Sequence, residues 1–285
     1  MTLPVITPQA VWRSWSFEPP IVAGITLLSV AYAVGVRRLW SRGRGRGISV
    51  MQTVSFAGGI AVLVVALVSP LDRVAVSLFS AHMIQHLLLI LVAAPLLVAG
   101  SAGTALGLAL PVPARRRVRT LERHPLARAV SRTVARPVLI LVLHLTALYL
   151  WHLPVLYQAA LGNNFIHALE HFSFFGTAWL FWWLVIDEKG RRRLGNGPAV
   201  LFVFLAGLAS GALGVVLTFA PAPLYPLQAL GARAWGLTPL GDQQLAGLIM
   251  WVPAGVVYLL AAAVLFLRWI SEMDAAVARE GGAVG

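Results

Sequence analysis

Apolar residues run in blocks of about 20 along most of this 285-residue chain, and short polar or arginine-rich stretches divide them. At ~1.5 Å rise per residue, a helix of that length matches the ~30 Å hydrocarbon thickness of a bilayer. Seven such blocks stand out, at about 20–40, 49–69, 80–110, 137–157, 165–186, 198–220 and 243–269. The third exceeds one crossing, and Pro95 and Gly100 are places for it to bend or end. The seventh carries Pro253 and Gly255, a second place for a kink. The pattern predicts an all-α polytopic membrane protein, one domain over residues 1–285 built as a bundle of seven transmembrane helices. No internal repeat and no soluble domain is visible. The polar stretch near 111–136 reads as a basic loop with room for a short amphipathic helix. The segment near 220–242 is too rich in Pro, Gly and Leu for a free linker and is expected to fold over the bundle's outer surface.

Composition agrees. The chain is 59% hydrophobic and 11% charged, with mean hydropathy +0.82, where a soluble domain carries about 25% charged residues. There is no cysteine, which excludes thiolate metal sites, iron–sulfur clusters, disulfides and cysteine nucleophiles. The net charge of +12 comes almost wholly from arginine. These arginines lie in short loops beside apolar spans, where they act as topogenic charges and contacts to anionic lipid; the expected partner is membrane lipid, with no nucleic acid. The sole lysine, Lys189, falls in a loop, so no retinal Schiff base can form in the bundle.

Nineteen of the 22 basic residues fall on one side of the predicted spans: after the first, third and fifth blocks and in the tail. Only Arg13, Arg73 and Arg233 fall on the other. The asymmetry predicts an N-terminus outside and a C-terminus in the cytoplasm of a bacterial plasma membrane. The first twenty residues lack a basic segment followed directly by an apolar core, so the first span is expected to be retained as a helix.

That orientation sorts the histidines. His82 and His86, and His167 and His171, are i, i+4 pairs, so both imidazoles of each pair face one side of a helix. Both pairs lie in the first turns of spans that enter from outside. His152 falls near the outer end of the fourth span, and His144 about two turns deeper. Asp72, Glu170 and Asp242 join them, whereas His124 is a solvated residue of the basic loop. Ionisable groups in a membrane segment usually face the bundle interior. The convergence predicts a cavity open to the outside.

Structural roles are available for each residue. His144 can be a helix–helix hydrogen-bond donor and His152 an interfacial residue beside Trp151. Asp72 and Asp242 can cap helices. Met83 and Met250 read as lipid-facing or core residues rather than copper ligands, and the aromatics of FFGTAWLFWW as lipid-facing and interfacial. The two histidine pairs are harder to account for by packing. Imidazole suits copper, zinc and haem iron, and ligands at two depths near one surface suit transient metal handling, with copper favoured. The candidate metal ligands are His82, His86, His167 and His171, with His144 and His152 deeper. Asp72, Gln85, Glu170 and Asp242 stand behind them to orient imidazoles or attract the cation. Two alternatives remain open. His167 to His171 also spells H-x-x-E-H, the inverted zinc-peptidase pattern, which would make an intramembrane zinc hydrolase with Glu170 as general base. Paired histidines on different helices could also clamp a haem. Polar groups crowding one surface argue against a transporter, which places its site near the midplane.

Three segments carry a resemblance. SPLDRVAVSLFSAHMIQHLLLILVAAPLLVAG, WHLPVLYQAALGNNFIHALEHFSFFGTAWLFWWLVI and LGDQQLAGLIMWVPAGVVYLL are similar to the signatures of the seven-helix CtaG-type cytochrome c oxidase assembly factors. The resemblance covers about residues 20 to 270. It implies a non-enzymatic factor that matures haem–copper oxidases and helps copper reach them, with oxidase subunits and copper ions or a copper chaperone as partners. It places family roles on His82, Gln85 and His86, on Trp151, His152 and Pro154, on His167, Glu170 and His171, and on Asp242 and Gln243.

Overall fold

The computed structural model describes residues 5–41, 43–186 and 194–282. Arg42, Lys189, Arg191, Arg192 and Arg193, five of the charges used to orient the chain, lie outside them. The described residues form helices and connecting turns, with no strand among them. In chain order the α-helices are α1 (Pro19–Trp40), α2 (Val50–Leu67), α3 (Pro70–Ser77), α4 (Phe79–Leu87), α5 (Ala94–Ala99), α6 (Ala102–Ala109) and α7 (Val112–Arg123). They continue with α8 (Pro125–Val134), α9 (Pro137–Trp151), α10 (Pro154–Gly162), α11 (Asn164–Ile186), α12 (Asn196–Thr218), α13 (Ala229–Ala234) and α14 (Pro239–Gly282). A π-helical segment, Leu88–Ala93, joins α4 to α5. Six helices are long and apolar enough to cross a membrane: α1, α2, the Phe79–Ala99 run, α11, α12 and α14. A seventh crossing is reached if α9 counts together with Pro125–Thr133, from which it is bent by 65°.

Three predicted blocks end differently from expectation, each for a local reason. The third stops at Ala99. Ser101 adopts a left-handed conformation at φ 52° and the chain turns back as α6. Gln52 holds that turn by donating to the Ser101 hydroxyl at 2.8 Å, while its carbonyl oxygen completes a capping box with Ser49 at the start of α2. Helix α6 then lies close along α1; a Cβ on Gly35 would overlap the Ala105 carbonyl, so only glycine fits. The fourth block breaks at His152, because Pro154 forces Leu153 into extended backbone and starts α10. The seventh runs on through Pro253 to Gly282, 44 residues in all. The basic loop folds as two helices, α7 and α8.

The core centres on α11. Phe174, Ala178, Phe181 and Trp182 are buried against α9, α12 and α14, so these members of the aromatic run face protein rather than lipid, contrary to their reading from sequence, whereas Phe175, Trp179 and Trp183 are only partly buried. The π-helical segment has an identifiable cause. The Ala94 N–H reaches back five residues to the Leu89 carbonyl. Pro95, next in line, has no N–H for the Ile90 carbonyl. The Trp182 indole donates to that carbonyl instead, at 2.8 Å. The break thus locks α11 to the helix that carries His82 and His86.

The two ends of the bundle differ. At one, Arg38 and Arg115 donate to the last carbonyls of α6, those of Leu108 and Leu110. At the other, the segment after α12 folds across the bundle as predicted. Its Gly231 sits where a Cβ would overlap the Ser77 carbonyl, and its Trp235 indole donates to the Ile6 carbonyl at 2.7 Å. The histidines gather under this second end.

Candidate metal centre

Helices α4 and α11 bring the two histidine pairs together. Ring centroids lie 5.5 Å apart for His82 and His167, 5.4 Å for His86 and His171, and 4.2 Å within each pair. Glu170 enters the same space rather than standing behind it. Its Oε1 lies 3.7 Å from His82 Nε2 and 3.8 Å from His86 Nε2. These distances are too long for hydrogen bonds. One donor atom each from His82, His86 and Glu170 fall within 4.8 Å of one another.

The hydrogen-bond inventory sets this group apart. Among the described residues, the Nε2 atoms of His82, His86, His167 and His171 and both carboxylate oxygens of Glu170 are buried without a hydrogen-bond partner. Buried polar groups are nearly always paired, because an unpaired one loses its hydration for nothing. Here six potential ligand atoms stand unpaired on two facing helices, and those of His82, His86 and Glu170 meet at ligating distance. An ionised Glu170 would also need a countercharge, which neutral imidazoles do not supply. A bound cation would satisfy His82, His86 and Glu170, one donor atom of each lying within 4.8 Å of the others, so these three residues fit a metal. The site is not the open cavity expected from the sequence: His82 and Glu170 are fully buried, and only His167 is partly exposed, which makes it the rim.

The acidic residues predicted to orient imidazoles act one step away. Leu78, at the start of α4, has no side chain able to cap a helix. Asp242 from α14 does it instead, accepting from the Phe79 N–H at 2.7 Å, the Ser80 N–H at 3.1 Å and the Ser80 hydroxyl. Asp72 accepts from Gln85 Nε2 at 2.8 Å, and the same amide group donates to the Ala66 carbonyl at 2.8 Å. Both carboxylates therefore position the helix bearing His82 and His86, not its imidazoles. Gln243, adjacent to Asp242, accepts from the Leu224 N–H at 2.6 Å and anchors the covering segment.

His152 and His144 lie apart from the four-histidine group. His152 ends α9, its carbonyl accepting from the Tyr225 hydroxyl at 2.8 Å. Burial raises the Tyr225 phenol above its ordinary pKa, so it stays protonated and able to donate. His144 lies 3.1 Å from the Thr177 hydroxyl, as a helix–helix contact. Gln228 accepts from the Tyr157 hydroxyl at 2.8 Å and donates to the Ala75 carbonyl at 2.9 Å; sequence reasoning missed it along with Ser80 and Tyr225, because these bonds join residues 71 to 162 positions apart and no local pattern marks such pairings.

Residues 30–272 match the profile of the cytochrome c oxidase caa3 assembly factors. The chain belongs to that family. Its match covers every residue of the cluster and the capping Asp242. Two curated relatives, uncharacterized proteins of Mycobacterium bovis and Mycobacterium tuberculosis, are each 25% identical over 277 residues. The alignment covers 93% of this chain and 41% of theirs, so the chain spans about two fifths of the length of these relatives. No solved structure matches. The family assembles cytochrome c oxidase at a membrane, which accords with the apolar helices here.

Proposed function

We propose that this family member matures a haem–copper cytochrome c oxidase by binding copper as cargo at the extracytoplasmic end of its bundle and passing it to the enzyme. His82, His86 and Glu170 hold the ion, and His167 at the rim passes it inward by way of the buried His171. The single observation that carries this reading is the meeting of buried, unpartnered donor atoms of His82, His86 and Glu170 within 4.8 Å, with the unpartnered Nε2 atoms of His167 and His171 on the facing helix. The donors are nitrogen and oxygen, which suit copper, and copper leads the divalent series in affinity. Excess ligands around a three-donor core suit exchange, because an incoming ligand can bind before an outgoing one leaves. The bundle lies in the plasma membrane with its N-terminus outside, so the cluster faces the compartment where an oxidase receives copper. Partners are the oxidase subunits and a copper ion or chaperone.

A strain lacking the protein should make oxidase that holds its haem but lacks copper. His171→Ala should reproduce the defect with the protein still present in the membrane. Added copper should partly rescue the point variant by mass action, and zinc should not. Fully metallated, active oxidase in the deletion strain would overturn the proposal.

A further inference from the structure

His86 also borders a second space. A cavity of about 30 Å³ is lined by Met83, His86, His144, His152 and Met250. That volume exceeds the ~10–15 Å³ needed to hold one water. All five side chains are buried. Met51 and Met273 are exposed, whereas Met83 and Met250, the two buried methionines among the described residues, both line this cavity.

His152 reveals its own protonation pattern. Its Nδ1 lies 2.7 Å from the Leu148 carbonyl oxygen, which can only accept, so Nδ1 carries the proton. A neutral imidazole has one N–H, which leaves a lone pair on Nε2. That lone pair faces the Met83 sulfur at 3.3 Å. A thioether has no proton to give. Two electron-pair donors thus face each other inside the protein, where a hydrogen bond between them would require imidazolium. A cation ligated by both resolves the conflict. Metal–nitrogen and metal–sulfur distances of ~2.0 and ~2.3 Å, as for zinc, let one ion bond both atoms across that 3.3 Å gap at an angle of about 100°. His144 follows the same logic. The Thr177 hydroxyl donates to the Ser173 carbonyl at 2.8 Å, so its oxygen accepts from His144 Nδ1 and leaves Nε2 unprotonated.

We propose that Met83 and His152 form a second metal site, a thioether–imidazole site for cuprous ion, continuous with the four-histidine cluster through His86. Thioether sulfur is a soft ligand and selects cuprous over divalent ions. The walls offer only neutral donors, so a monovalent ion brings the least charge into an apolar interior. The two sites then divide the work: carboxylate and imidazole receive the ion, and thioether and imidazole hold it in reduced form. The inference rests on the copper reading of the first cluster.

Cuprous ion, supplied from a chelator of known affinity to the purified full chain in detergent, tests it. The wild type should bind two ions, and X-ray absorption should show a sulfur neighbour at about 2.3 Å. Met83→Leu, which keeps the volume, should bind one and lose the sulfur signal. His82→Ala should lose the other ion and keep the sulfur signal, which separates the sites even if one variant folds poorly. One bound ion with no sulfur neighbour in the wild type would overturn the second site and leave the first standing. No bound copper at all would overturn both.

Discussion

Glu170 is where two chemistries part. As a ligand or countercharge for copper it should control affinity. As the general base of a zinc hydrolase it should control only turnover. The side chain reaches towards His82 and His86 at 3.7 and 3.8 Å, on the other helix from its own H-x-x-E-H motif. Glu170→Gln is nearly isosteric and removes the charge. It should lower copper affinity of the purified protein by more than the ~10–100-fold that follows loss of an outer-shell partner, because Glu170 is itself one of the three ligands. Full metal occupancy with all function gone would instead favour the hydrolase. The sequence made the four histidines legible because i, i+4 spacing is a local property of a helix. It placed Glu170 behind the imidazoles and did not reveal that the carboxylate would face His82 and His86 directly, since these partners are about 85 residues away and the side-chain direction depends on how α4 meets α11. The same holds for Met83, whose contact with His152 crosses 69 positions.

Single elements carry the next level of control, and Asp242 shows how. It caps α4 from another helix, in place of Leu78, which cannot. Removing it would strand two buried N–H groups and loosen the first turn, on which His82 sits. Asp242→Ala should destabilise the protein by about 2–3 kcal/mol, and Asp242→Asn, which keeps an acceptor, by about 1 kcal/mol. Thermal unfolding in detergent would measure both. Copper affinity should fall along with stability, although every ligand is intact; an unchanged melting temperature in Asp242→Ala would remove the capping role. Helix positions were largely readable from apolar block length, but ends were not. Hydropathy does not register the left-handed Ser101 that halts the third block at Ala99, nor does it mark helix continuing past the apolar limit to Gly282. Burial of Phe174, Phe181 and Trp182 within FFGTAWLFWW was invisible for another reason: lipid and protein interior are equally apolar, so an aromatic run cannot tell which of its members will face protein.

At the scale of the whole molecule, orientation decides whether the cluster can do what is proposed. The bundle has one end rich in arginine and another that gathers the histidines, and a continuous 21-residue run from Phe79 to Ala99 connects them. Some of the arginines also have structural work, since Arg38 and Arg115 terminate α6 by donating to its last carbonyls. A charge with a structural partner still resists translocation, so the count keeps its force. Reporter fusions placed in the loops near 41–48, 111–136 and 187–197 should therefore read as cytoplasmic, and one placed within 220–238 as external. The pairing matters, because the covering segment and the cluster share an end: Tyr225 bonds the His152 backbone, and Gly231 packs on the Ser77 carbonyl at the end of α3. A reporter at 111–136 found outside would put the histidines at the cytoplasmic face. Copper delivery to an oxidase from outside would then fail on geometry alone, whatever the cluster binds.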